Sequence, residues 1–175
     1  GTAYEIYVRP LCGDNSISEW AEAYPASTLC EEKSMPYLMD FTDGISSCYT
    51  LTGTKWTANN GEARVSINST SGSAVMITEG ITVPDGTAAQ LSFTMSRTAK
   101  EFGSGWRKQQ NNNVMNVYVN EQPSLNGATL LRTINNAYTK DPVESAEGMY
   151  TYTADIQVGG KLYFIFEQQF KTSGD

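Results

Sequence analysis

The sequence predicts an all-β sandwich, and three observations carry that expectation. Short runs rich in Val, Ile, Thr and aromatic residues recur along the 175 residues, separated by Gly, Asn and Asp. Apolar residues make up 39% and charged residues only 18%, which suits short strands whose outer faces carry uncharged polar groups. No convincing amphipathic helix interrupts the runs.

The elements follow in order. Tyr4, Ile6 and Val8 alternate with Glu5, Tyr7 and Arg9, a polar turn spans Cys12 to Ser16, and a return strand runs past Trp20 to Thr28. That is one hairpin, and a lone two-stranded hairpin is marginally stable in water, so its strands need partners. Glu31, Glu32, Lys33 and Ser34 precede Pro36 and read as a linker over 30–35. The stretch "PYLMDF" then reads as an extended apolar strand, followed by an Asp43-Gly44 turn. Nine further strands are expected: Cys48 to Leu51, Thr54 to Ala58, Ala63 to Ile67, Ala74 to Thr78, Gln90 to Ser96, Val114 to Asn120, Thr129 to Ile134, Met149 to Asp155 and Lys161 to Gln168. Turn residues lie between them at Asn60-Gly61, Ser71-Gly72, Asp85-Gly86, Asn126-Gly127 and Gly159-Gly160. Strand number alone fits an immunoglobulin-like or a jelly-roll arrangement.

Charge and cysteines narrow the partners and the compartment. The net charge is −7 and the basic residues do not cluster, so a nucleic-acid partner is not expected. No run approaches the ~18 apolar residues of a membrane helix, so no membrane insertion is expected. Three cysteines, Cys12, Cys30 and Cys48, suit an exported chain with one bridge, although three buried free thiols also fit. At ~3.3 Å per residue Cys12 and Cys30 lie roughly 30 Å apart along the hairpin, too far to bond. The expected bridge is Cys30 to Cys48, closing a loop worth roughly 3 kcal/mol, with Cys12 free or bonded elsewhere.

The chemistry available is sparse. There is no histidine, which removes Ser-His-Asp and Cys-His nucleophilic sites and every His-ligated metal centre. A glycosidase needs only two carboxylates, but the nearest acidic pair, Glu144 and Glu147, reads as a solvated loop. No catalytic activity is expected. The long polar connection "RTAKEFGSGWRKQQNNN" holds Trp106, Arg107, Lys108, Gln109 and Asn111, a set able to stack on a sugar ring and bond its hydroxyls. The alternative is that Trp106 anchors the loop on its own sheet. Trp20 and Trp56 read as core or module-interface residues, and Asn68-Ser69-Thr70 fits a glycosylation acceptor pattern.

Two resemblances add to this reading. "GTAYEIYVRPLCGDNSISEW" resembles the last two strands of a fibronectin type III module. The remainder, from "MPYLMDFTDGISSCYTL" through "SAVMITEGITVPDGTAAQLSF" to "MYTYTADIQVGGKLYFIFEQ", resembles the cleaved-adhesin and MAM-like jelly-roll domains of Bacteroidetes-type surface proteins. It departs from them at Tyr49, where a Trp is usual, within "MYTYT", where a Trp often opens the strand, and at the closing acidic pair, which would lie past Asp175.

The resemblance implies residues 1–29 as the C-terminal hairpin of a fibronectin type III-like module, 30–35 as a linker, and 36–175 as a jelly roll truncated at its last strand. It also implies a structural calcium ion near Asp40, with Asp43 as a second candidate ligand; the alternative is a plain Asp-Gly turn. The function implied is a non-catalytic extracellular or bacterial cell-surface module for adhesion or display. Its expected partners are neighbouring domains of the same polypeptide and a host or cell-surface glycan or protein. The alternative is a carbohydrate-binding accessory module of a secreted hydrolase.

Overall fold

The computed structural model describes residues 3–10, 17–27, 30–53, 56–65, 72–96, 114–135 and 149–170. Within them lie thirteen strands: β1 (Ala3–Ile6), β2 (Tyr24–Ser27), β3 (Lys33–Ser34), β4 (Thr50–Gly53), β5 (Thr57–Asn59), β6 (Glu62–Arg64), β7 (Gly72–Ile77), β8 (Ile81–Val83), β9 (Ala89–Ser96), β10 (Val114–Asn120), β11 (Thr129–Asn135), β12 (Met149–Ile156) and β13 (Gly160–Phe170). No helix among the described residues is long and apolar enough to cross a membrane.

The protein is an all-β sandwich. Its central sheet runs β11-β10-β13-β7-β4, and β13 organises it. One edge of this eleven-residue strand pairs antiparallel with β10, while the other pairs first with β8 and then with β7. Between β7 and β8 the chain leaves the ladder at Thr78, and the gap is closed locally. The Thr78 N–H donates to Phe164 O (2.9 Å), and the Thr78 hydroxyl accepts from Phe164 N–H (3.0 Å). A buried backbone group without such a partner would cost free energy comparable to a lost hydrogen bond.

Strands β9 and β12 pair along eight residues each and form the second layer. Phe93 stacks on Tyr152 at 5.5 Å and meets Phe166 of β13 edge-on at 5.5 Å, so the layers interlock through rings. The core between them takes Met76, Val117, Val119, Leu162, Phe164, Phe166, Tyr152 and Ile156, with Trp56 buried at its margin. Chain passage from β8 to β9, β9 to β10, β11 to β12 and β12 to β13 changes layer each time, the connectivity of a jelly-roll sandwich.

Several elements depart from the sequence expectation. Residues of "PYLMDF" form no strand; only Phe41 makes an isolated bridge, to Gly61. Met35, Tyr37, Met39 and Phe41 do pack against the core, with Pro36, Leu38 and Asp40 exposed, so the segment has strand periodicity without ladder partners. Conversely Lys33 and Ser34, assigned to the linker, form β3, which pairs parallel with β8. Strand β8 itself had no sequence signal, because "ITV" between Gly80 and Pro84 is shorter than a recognisable run.

β1 and β2 pair with each other, Ile6 opposite Tyr24, and with no other strand among the described residues. Ala21 N–H extends the pairing to Val8 O (2.8 Å), and the Arg9 guanidinium lies 4.4 Å over the Trp20 ring. Of the eleven exposed large apolar side chains among the described residues, seven belong to this hairpin: Tyr4, Ile6, Tyr7, Val8, Ile17, Trp20 and Tyr24. Trp20 is therefore not a core residue, whereas Trp56 is.

Candidate functional site

Cys30 and Cys48 are joined by a disulfide, with Cα atoms 5.7 Å apart. It ties the segment leading into β3 to the start of β4. Cys12 lies outside the described residues, as do Trp106, Arg107, Lys108, Gln109 and Asn111, the acidic pair Glu144 and Glu147, and the Asn68 acceptor pattern.

Asp40 and Asp43 are both exposed, and Asp40 Oδ1 accepts the Thr42 N–H at 3.1 Å, the bond of a side-chain-stabilised turn. Calcium takes six to eight oxygens. Among the described residues no group of three or more His, Cys, Asp or Glu side chains is placed to hold a metal. Asp40 and Asp43 thus present two exposed carboxylates, one of them engaged with the backbone.

The structure assembles other groups that sequence reasoning missed. Glu79, in the bend between β7 and β8, is 6% exposed, and its Oε1 accepts the Tyr37 hydroxyl at 2.5 Å. The Tyr49 hydroxyl lies 3.4 Å from that of Tyr37. Burial, then the bond to Glu79, pushes the Tyr37 hydroxyl above its usual range, and burial does the same to Tyr49. Tyr37 and Glu79 lie 42 residues apart in sequence, so no local pattern announces their contact.

Beside Glu79 opens a cleft of about 200 Å³, lined among others by the Cys30–Cys48 bridge, Glu31, Pro123, Lys161 and Tyr163. Lys161 is laid across Gly80: a Cβ on that glycine would come within 2.3 Å of the lysine Cε.

From the cleft the outer face of the central sheet continues along β13 through Tyr163, Ile165, Glu167 and Gln169, the residues that alternate with the core set. Val75, Ile77 and Ile165 form a small buried apolar floor there, packed against Tyr118, Ala128 and Tyr163. Beyond that floor Glu167 Oε2 accepts from Tyr118 Oη (2.9 Å), Gln169 Nε2 (3.1 Å) and Asn116 Nδ2 (3.4 Å). Thr133 donates in turn to Asn116 Oδ1 at 2.9 Å. Burial, followed by the bond to Glu167, raises the Tyr118 hydroxyl. Alternation along β10 shows from sequence that Asn116 and Tyr118 share a face, but their meeting with Glu167 depends on the β10–β13 register.

No family model and no curated protein matches the chain. Among solved structures it is similar to the K1 cleaved adhesin domain of Lys-gingipain from Porphyromonas gingivalis W83, with TM-score 0.50 and 15% identity over 78% of this chain and 97% of that one. The fold is like that of a cleaved adhesin domain. The K3 cleaved adhesin domain of the same protein aligns at TM-score 0.47 and 15% identity, over 77% of this chain and 89% of that one. At such identity the K1 likeness concerns fold, and the residues of the outer face have to be argued from their own chemistry.

Proposed function

We propose that the protein is a non-catalytic extracellular module serving adhesion or display within a larger bacterial surface or secreted protein. The observation that carries this reading is the fold likeness to the K1 cleaved adhesin domain, which extends over nearly all of that domain. The disulfide suits an oxidising compartment. The absence of histidine removes the commonest general base.

Neighbouring modules belong to the same reading. One face of β1–β2 presents Tyr4, Ile6, Val8 and Tyr24 to solvent, and a two-stranded hairpin does not hold such a face open on its own. The partner we assign is the rest of a fibronectin type III-like sheet in the same polypeptide.

Beads coated with the protein test the function. They should adhere saturably to intact cells or matrix glycoproteins, and soluble protein should compete. Beads that bind nothing above an uncoated control, or a preparation that turns over a polysaccharide, would oppose the reading.

A further inference from the structure

Resting on the adhesion reading and deepening it, we propose that the outer face of the central sheet, from the cleft at Tyr163 along β13 to Gln169, binds one chain of a neutral polysaccharide. Alternate residues of a strand stand roughly 6.7 Å apart, so the half-buried Tyr163, Glu167 and Gln169 lie along a row of roughly 20 Å, with the fully buried Ile165 beneath it between the first two. That is a track for several sugar units rather than a pocket for one.

The groups along the row match the two surfaces of a sugar. Tyr163 and Tyr118 are half-buried, standing beside a floor of Val75, Ile77 and Ile165, and offer ring surface to the C–H faces of pyranose rings. Past them the groups are a carboxylate, two amides and a hydroxyl: Glu167, Asn116, Gln169 and Thr133. These are the donor-acceptor types that satisfy vicinal hydroxyls, and their mutual bonds hold them in place before any ligand arrives.

Glu167 decides the polarity of the site. Three donors converge on its Oε2, while its Oε1 accepts from no described residue. A hydroxyl donating to that oxygen makes a charge-assisted bond, stronger than a neutral one. The same carboxylate, with Glu31 and Glu79 at the cleft and a net charge of −7, repels a polyanion. A neutral glycan is the chemistry left that uses rings, amides and Glu167 Oε1 together. A basic peptide would use the charge alone.

Calorimetric titration of the whole chain with cellohexaose, mannohexaose and chitohexaose tests this, with hexalysine in parallel. At least one oligosaccharide should saturate the protein, with little dependence on salt. Gln169→Ala should weaken it by about tenfold at an unchanged melting temperature, and Glu167→Gln should weaken it by as much while lowering the melting temperature through the bonds it carries from Tyr118 and Asn116. No saturation by any of the three sugars overturns the proposal. So does affinity untouched by both substitutions, and so does salt-sensitive binding of hexalysine alone. Cell adherence measured on the same preparations separates the two readings: adherence without sugar binding removes the polysaccharide track and leaves the adhesion module standing.

Discussion

At Gly53, the last residue of β4, φ is +74° and an added Cβ would sit 2.1 Å from the Ser73 carbonyl oxygen. Both the left-handed backbone and the contact with β7 oppose a side chain there. Gly53→Ala should therefore cost ~2 kcal/mol or more, read as a lower denaturation midpoint. A neutral outcome would mean that β4 does not approach β7 this closely. Tyr37 is the second residue whose removal is informative, because Tyr37→Phe leaves the buried Glu79 oxygen without its donor. The expected loss is about 2 kcal/mol. The same contact sets a pH dependence. The folded pKa of Tyr37 lies above its ordinary value of 10.0, so the unfolded chain loses that proton first as pH rises. Stability from this group is complete below about pH 10 and falls above it. Denaturant melts at about pH 8 and about pH 11 should show the fall, and Tyr37→Phe should reduce its slope.

Among the elements, the Cys30–Cys48 bridge and the β3–β8 pairing act together to fix the entrance to the sandwich. Replacing both cysteines by serine should cost roughly 3 kcal/mol, the chain-entropy value for a loop of this length. Amide exchange should be slowest in β7, β10 and β13, which are paired on both edges, and fastest in β1 and β2, which are paired on one. Protection of β1–β2 equal to that of β13 in the isolated chain would contradict the exposed hairpin. How far these elements were legible in the sequence depends on the physics of each. In β10, Val114 to Asn120 alternates half-buried and buried without a break, and its limits follow from period two alone. The "PYLMDF" segment shows the same period because Tyr37 and Met39 face the core, yet its backbone finds no ladder. Periodicity reports which side chains are covered, not whether N–H and C=O groups are paired. The short strands β3 and β8 fail for the opposite reason: their backbones pair, but two or three residues show no period.

For the whole molecule, the all-β sandwich was readable from the steady return of short apolar runs and turns. The site was not, because Tyr118, Glu167, Tyr37 and Glu79 come together only through strand register and a bend 42 or more residues away in sequence. The central claim is that this sandwich recognises a surface and performs no chemistry. It is tested most directly by equilibrium binding of the fluorescently labelled whole chain to intact cells, before and after enzymatic removal of surface glycans, with hydrolysis of the same glycans followed in the supernatant. The account predicts a saturable isotherm that weakens on deglycosylation, and no sugar released by the protein itself. Absence of saturable binding, or steady release of sugar that tracks protein concentration, would contradict it.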